Sequence, residues 1–190
     1  MKKILITTAM ASLLLSFTAS ADWATGNSTV FAVNHGEAAF HTSLSSEQRL
    51  DAGMTVGDKG SADIIFSMES SKGGLSLSAV PVKLISGTNA DGTTYKDAKL
   101  TITPLVSTDN GRRFYLMETG TLEGAKIIAY SKGTFTVVFD GSSIGEEADH
   151  ASFHVSKKKL VLKLEKEGTV QEYTLIYDKK TEIFSINTTV

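Results

Sequence analysis

The chain has 190 residues, 41% of them hydrophobic, and it contains no cysteine. Disulfides and cysteine-linked lipids are therefore excluded, and the fold must be held together by its core alone. With 19 basic and 21 acidic residues, and no basic patch interleaved with aromatic residues, the composition argues against nucleic acid as a partner.

The first 21 residues are typical of a secretory signal peptide. Lys2 and Lys3 precede an apolar stretch from Ile4 to Phe17, which is shorter than the ~20 residues of a membrane span. Ala19-Ser20-Ala21 then offers small residues for cleavage. We expect a periplasmic or secreted protein, with residues 22–190 forming a single β-rich domain that has no membrane span.

Two segments before residue 60 depart from the period-of-two strand pattern that begins after Ser28. A loose arm is expected after Asp22. Ser45 to Gly53 is predicted to be a short helix, because Ser45 and Gln48 stand at the spacing of a capping box and Gly53 suits a C-terminal cap.

Most of the remaining chain shows a period of two, with β-branched and aromatic residues between turn residues, which predicts about nine or ten strands. Asp109-Asn110-Gly111 predicts one hairpin turn, and Glu167-Gly168 predicts another. The predicted strands are Ile64 to Glu69, Leu75 to Ser86, Leu100 to Val106, Arg112 to Glu118, Lys126 to Tyr130, Thr134 to Asp140, Leu160 to Glu165, Thr169 to Tyr177 and Ile183 to Asn187.

Successive short strands joined by tight turns indicate an all-β fold, a single antiparallel β-sandwich or a β-barrel, with a calycin-like barrel among the barrel forms. The alternating apolar residues define the expected core. Its members are Phe66, Leu77, Val80, Leu100, Ile102, Phe114, Leu116, Ile127, Phe135, Val137, Phe139, Phe153, Val155, Leu160, Leu162, Leu164, Tyr173, Leu175 and Phe184.

Gly141-Ser142-Ser143-Ile144-Gly145 matches the Gly-x-Ser-x-Gly pattern of serine hydrolases, and Asp149 and His150 follow it. A nucleophile elbow requires a strand, a turn and a helix in a parallel α/β sheet, and neither the helix nor the parallel sheet is indicated. The same residues make ordinary hairpin loops, so no catalytic residue is assigned.

The four histidines His35, His41, His150 and His154 are the candidate metal ligands. If Ala151 and Phe153 point inward on a strand, His150 and His154 point outward about 13 Å apart, at ~3.3 Å per residue. One ion cannot bridge that distance, so a metal bound by either histidine would need ligands from a neighbouring strand, such as His35 or His41. Nothing in the sequence indicates such a set, and no metal and no cofactor are expected.

Charged residues form two further groups near the C-terminus. Asp140, Glu146, Glu147 and Asp149 are acidic but lack the spacing of an EF-hand, as does Asn89 to Gly92. The cationic run contains Lys157, Lys158, Lys159, Lys163 and Lys166. We interpret the acidic group as polar turns and the lysines as solvated strand residues that prevent aggregation.

These observations favour an exported, non-enzymatic binding or interaction protein of the bacterial envelope, whose partner is an envelope protein or a small apolar ligand. One alternative is a small outer-membrane β-barrel, although an aromatic content of 8% is low for the aromatic girdles of that class. A second alternative is an envelope hydrolase that uses Ser143 or a histidine-bound metal. The oligomeric state stays open.

The hydrolase alternative generates the first prediction. Because Ser143 is interpreted as a loop residue, Ser143→Ala should leave the protein's function unchanged. Labelling with an esterase-type probe checks this, and a probe that labels the natural chain but not the variant would contradict it.

Overall fold

The computed structural model describes residues 22–32, 39–45, 48–56, 61–70, 75–83, 99–109, 111–131 and 134–187. In these ranges the regular elements are strands and one 3-10 turn, and the strands pair in antiparallel sheets, which confirms the all-β prediction. No helix within them is long and apolar enough to cross a membrane. The predicted signal peptide at residues 1–21, His35, and the turn at Asn89 to Gly92 lie outside the described residues.

The central sheet runs in the order β1-β7-β8-β9-β10, and β2 also pairs with β7. Its strands are β1 (Trp23–Thr25), β2 (Thr29–Ala32), β7 (Lys99–Ser107), β8 (Arg113–Glu118), β9 (Lys126–Ser131) and β10 (Thr134–Asp140). The 3-10 turn Gly141–Ile144 follows β10 directly. Consecutive strands from β7 to β10 are neighbours, as expected for a meander.

The N-terminal sheet has the order β3-β4-β5-β6, with β3 (Ala39–Ser45), β4 (Gln48–Val56), β5 (Ser61–Ser70) and β6 (Leu75–Lys83). The predicted helix at Ser45 to Gly53 is therefore wrong, because Ser45 ends β3 and Gln48 to Gly53 belong to β4. The competing signal is the alternation of Leu50, Ala52, Met54 and Val56 with more polar or small residues, which fits a strand paired along its length with β5.

The C-terminal sheet has the order β11-β12-β13-β14, with β11 (His150–Ser156), β12 (Lys159–Lys166), β13 (Thr169–Asp178) and β14 (Ile183–Ile186). The hairpin predicted at Glu167-Gly168 is confirmed. Both turn residues have positive φ, 49° and 77°, which is the requirement of a type I′ turn. The side chains of Leu160, Leu162 and Leu164 are buried along one face of β12.

The central sheet is buried on both faces at β8 and β9. Phe114 and Leu116 on one face of β8 belong to the core shared with the C-terminal sheet, whereas the adjacent Tyr115 and Met117 on the other face are equally buried. Phe66 of β5 stacks on Phe135 of β10, with ring centroids 5.0 Å apart, so the N-terminal sheet approaches the central sheet as well. Burial is therefore continuous along β8, where simple alternation predicts one face.

The expected loose arm after Asp22 is instead an ordered strand. Trp23 is 2% exposed and packs against Phe114, Tyr177 and Phe184, with centroid distances of 5.5, 6.1 and 5.2 Å. The backbone N–H of Trp23 donates to the carbonyl of Lys158 at 2.9 Å, in the turn between β11 and β12. The start of β1 thus ties the central sheet to the C-terminal sheet.

Pro104 divides the outer strand of the central sheet into β1 and β2. Both segments pair with β7, and Gly26 between them donates its N–H to the Pro104 carbonyl at 2.8 Å. In an antiparallel ladder the N–H and C=O of one residue point to the same side of the strand. Because the Pro104 carbonyl points toward the outer strand, the N–H that proline lacks is missing on that side. The ladder is interrupted where that donor is absent.

Val137 was expected in the core and is 36% exposed, whereas Val138 is 6% exposed. The pairing of β9 with β10 shifts register between Val137 and Phe139. A bulge of this kind inserts one residue and moves the following side chains to the opposite face, which the sequence pattern does not reveal.

The hairpin predicted between Leu100 to Val106 and Arg112 to Glu118 is confirmed as β7 and β8. Its connection is longer than a two-residue turn, because Ser107 and Arg112 close the loop and Gly111 donates its N–H to the Ser107 carbonyl. The N–H of Thr108 donates to the Asp22 carbonyl at 2.8 Å, so Asp22 also fixes this loop.

The position of Trp23 generates a stability prediction. Trp23→Ala removes a buried aromatic residue that contacts both sheets, and should lower the free energy of unfolding by about 3–5 kcal/mol. Trp23→Phe should lose less, and Val30→Ala, at a residue that is 58% exposed, should change it by less than about 1 kcal/mol. Urea unfolding followed by far-UV circular dichroism measures all three variants. Equal losses of unfolding free energy for Trp23→Ala and Val30→Ala would contradict the role of Trp23 in joining the two sheets.

Candidate functional site

The outer edge of β11 is covered by other parts of the chain. The N–H of Ala151 donates to the Gly120 carbonyl at 2.9 Å, and the N–H of Phe153 donates to the Glu118 carboxylate at 2.6 Å. These N–H groups point away from β12, so Glu118 and Gly120 take the place of a neighbouring strand. This edge is closed to an added strand.

Glu118 has an unusual environment for a carboxylate. Burial raises its pKa above the ordinary value of 4.5, and this effect outweighs the opposing effects of the Phe153 N–H and the nearby His150. A buried carboxylate with a perturbed pKa is a standard candidate for a functional group. Here its hydrogen bond to a backbone N–H gives it a direct structural use.

The edge of β13 is open along its first half. β14 pairs with Leu175 to Asp178, and the N–H of Asn187 then donates to the Thr174 carbonyl at 2.8 Å. Within the described residues, no strand pairs with this edge between Thr169 and Tyr173. Residues 169–172 of β13 are exposed, including Val170 at 50%.

A polar groove of about 360 Å³ lies beside this open edge. One wall is the loop that follows the 3-10 turn, and the floor is one face of the β12–β13 hairpin. Its lining side chains are Glu146, Glu147, Leu164, Lys166, Glu167, Thr169 and Gln171. Three glutamates and one lysine give this lining a formal charge of −2, and Leu164 is its one apolar member.

Hydrogen bonds hold the loop against the hairpin. The Asp149 carboxylate accepts the N–H of Glu167 at 2.8 Å, and the Asp149 N–H donates to the Glu165 carbonyl at 2.8 Å. The Tyr173 hydroxyl donates to Glu146 at 2.5 Å, a contact that raises the pKa of Tyr173. The groove is therefore built by specific contacts between the loop that forms its wall and the hairpin that forms its floor.

The base of the same loop is fixed by Asp140. Its carboxylate accepts hydrogen bonds from Lys126 at 2.5 Å and from the N–H of Ser142 at 3.1 Å, where it caps the 3-10 turn. Burial alone would raise the pKa of Asp140, but the hydrogen bonds from Lys126 and Ser142 outweigh it and lower the pKa. Gly145 ends the turn with φ of 74°, a conformation that favours glycine.

Ser143 lies within this 3-10 turn, and its hydroxyl donates to the Asp140 carbonyl at 2.6 Å. The residues of the Gly-x-Ser-x-Gly pattern thus follow a strand but lead into a turn and an irregular loop. A nucleophile elbow has a helix at this point. The observed hydrogen bond gives Ser143 a role in closing the turn.

The structure places two of the four histidines with their side chains. His150 and His154 lie on β11, where Ala151 and Phe153 are buried and the histidines occupy the alternate positions, as predicted. His154 Nε2 stands 3.7 Å from Glu172 Oε1 on β13. His41 lies on β3, and among the described residues no three potential ligands cluster as a metal site would require.

The lysine run is divided between a turn and a strand. Lys157 and Lys158 form the β11–β12 turn with φ of 48° and 64°, values that cost non-glycine residues about 1 kcal/mol or more each. The Lys158 ammonium pairs with the Asp22 carboxylate at 2.8 Å, which adds to the bond from Trp23. On β12, Lys163 pairs with Glu165, and Lys166 pairs with Glu147 at 2.9 Å.

Sequence reasoning included Glu146, Glu147 and Lys166 but did not connect them in one groove, and it missed Glu118 and the open β13 edge. The groove joins residues such as Glu147 and Lys166, which are 19 positions apart, through a loop whose path a period-of-two pattern does not specify. A glutamate at the end of a predicted strand gives no signal that it will cover the edge of another.

The environment of Glu118 generates a pH prediction. Since its pKa is raised on folding, its contribution to the free energy of unfolding is largest below pH 4.5 and declines as pH rises through the folded-state value. Glu118→Gln keeps an oxygen for the Phe153 N–H and should remove this decline. Glu118→Ala leaves that N–H without an acceptor and should cost about 1–3 kcal/mol. Urea unfolding from pH 4 to pH 8 tests both, and identical pH profiles for the natural chain and Glu118→Gln would contradict the assignment.

Comparison with known proteins adds no family to this description, because no family model, curated protein or solved structure matches the chain. The groove and the open strand edge are therefore interpreted from their own geometry.

Proposed function

We propose that the protein is an exported, non-enzymatic binding or interaction protein of the bacterial envelope, and that the groove beside β13 is its binding surface. The observation that carries the proposal is the construction of the groove, in which Asp149 and Tyr173 fix the loop to the hairpin while the lining carboxylates remain open to solvent. Such preorganisation lowers the entropic cost of binding.

The lining favours a polar partner. Three glutamates against one lysine attract cationic groups, and Leu164 alone offers apolar contact. Of the two partners expected from the sequence, an envelope protein that presents a polar or basic segment fits this surface better than a small apolar ligand. The side chain of Glu147 is 87% exposed even though it pairs with Lys166, so such a partner can reach its carboxylate.

The scaffold that we propose is a layered β-sandwich. The burial of Tyr115 and Met117 opposite Phe114 and Leu116 supports three layers, with the central sheet between the N-terminal and C-terminal sheets. In this arrangement the groove lies at the tip of the C-terminal layer, where β12 and β13 extend past the core and can meet a partner without disturbing it.

The absence of cysteine allows a direct test of the surface. Thr169→Cys places a single thiol in the groove, and Thr136→Cys places one on the exposed part of β10 as a matched control. After attachment of a photoactivated cross-linker and irradiation in a periplasmic extract, we expect a discrete adduct from position 169 and none from position 136.

Equal yields from the two positions, or no adduct from either, would contradict a partner at the groove. Loss of the position 169 adduct on adding Glu146→Gln and Glu147→Gln would assign the attraction to the lining carboxylates. Mass spectrometry of the adduct identifies the partner, and circular dichroism of each variant verifies that it is folded.

A further inference from the structure

We propose that the open edge of β13 binds an extended cationic peptide segment as an added antiparallel strand. This inference rests on the proposed function, because it names the chemistry and the binding mode of the partner at the same groove.

The backbone direction follows from the turn. The type I′ turn at Glu167-Gly168 closes on Lys166 and Thr169, so residues 169, 171 and 173 exchange hydrogen bonds with β12. Val170, Glu172 and Thr174 face the opposite side. The bond from the Asn187 N–H to the Thr174 carbonyl verifies this direction. Val170 and Glu172 therefore present their N–H and C=O groups along the open edge, where an added strand forms its ladder.

The contrast with β11 gives this edge its significance. On β11 the N–H groups that face outward at Ala151 and Phe153 are bonded to Gly120 and Glu118. Exposed edges are usually shielded in this manner or by lysine, proline or a bulge. β13 instead carries Val170, 50% exposed, and Glu172 at the corresponding positions, so neither proline nor lysine blocks the edge.

The groove lies where alternate side chains of the added strand would point. Thr169 and Gln171 line it, and both belong to the face of β13 that carries Tyr173 and Leu175. Residues paired beside Gln171 would project over the same face at ~4.8 Å from β13. They would meet the carboxylates of the groove, so lysine or arginine at every second position fits the site.

Charge also argues against a second copy of this chain as the occupant. Pairing of two β13 edges would bring the groove glutamates and Glu172 of both copies together. Like charges juxtaposed across an interface oppose association. A cationic strand from another protein neutralises the same groups.

The test measures fluorescence anisotropy of labelled heptapeptides with the full mature chain. A peptide of alternating lysine and threonine should bind, and more weakly as salt rises. The matched peptide with glutamate in place of lysine should not bind. A lysine peptide with N-methyl groups on its threonines keeps the charge but cannot complete the ladder, and it should bind at least about threefold more weakly.

Variants of the protein separate the contribution of the backbone hydrogen bonds to peptide binding from the contribution of the charged side chains. Val170→Pro removes one outward N–H without removing a bond to β12, and should weaken binding of the lysine peptide about 2- to 10-fold, whereas Val170→Thr should not. Glu147→Gln with Glu167→Gln should weaken it and reduce its salt dependence. Asp63→Asn on β5 is the matched control for charge, and circular dichroism verifies folding.

Three outcomes would overturn the proposal. The first is equal binding of the lysine peptide and its N-methylated form, which would mean attraction by charge alone. The second is a dimer of the unliganded protein that Val170→Pro disperses, which would make a second copy the occupant. The third is no binding by either the full mature chain or a variant that ends at Asn187. An adduct at position 169 alongside any of these results would leave the groove as a binding surface and reject only the added strand.

Discussion

Burial of both faces of β8 is the constraint on which the rest of the structure depends. Phe114 and Leu116 need cover on one side, and Tyr115 and Met117 need cover on the other. A sheet with two apolar faces requires cover on both sides, and the C-terminal sheet shares the core on the side of Phe114, while Phe66 of the N-terminal sheet stacks on Phe135 of the central sheet. The C-terminal sheet must also be anchored, and the aromatic contacts of Trp23 on β1 with Tyr177 and Phe184 do this.

The same arrangement determines which strand edges can be reached. β11 lies beside the end of β8, so Glu118 and Gly120 accept hydrogen bonds from its outer edge. The first half of β13 extends beyond the short β14. The edge of β11 is thus covered by a residue of a neighbouring sheet, whereas the edge of β13 exceeds its own partner strand in length. Recognition by strand addition needs this combination of a rigid sheet and an accessible ladder.

Much of the fold could be predicted from local patterns. The β12–β13 hairpin and its Glu167-Gly168 turn followed from alternation and turn chemistry, as did the pairing of β7 with β8. The helix predicted at Ser45 to Gly53 failed because a capping box is a weak signal beside a strand partner that the sequence does not identify. The bulge after Val137 and the second buried face of β8 depend on tertiary packing, which a period of two does not encode.

The candidate site was predictable only in part. The acidic residues after β10 and the lysines of β12 were recognised as two separate groups, and their meeting depends on the Asp149 carboxylate binding the N–H of Glu167. The histidine spacing was more informative, because alternation alone separated His150 from His154 along β11. Properties of a single strand can be predicted from sequence, whereas properties of a surface require the path of the loops between strands.

The break at Pro104 has a consequence for motion. It leaves β1 and β2 as two short ladders along β7, each with its own hydrogen bonds to β7, and residues 26–28 join the two ladders. Opening of one ladder does not require opening of the other, so the outer strand consists of two units with separate opening free energies. Amide hydrogen exchange would register them as distinct protection classes, while Trp23, the single tryptophan of the chain, reports on the first unit and on its contacts with the C-terminal sheet.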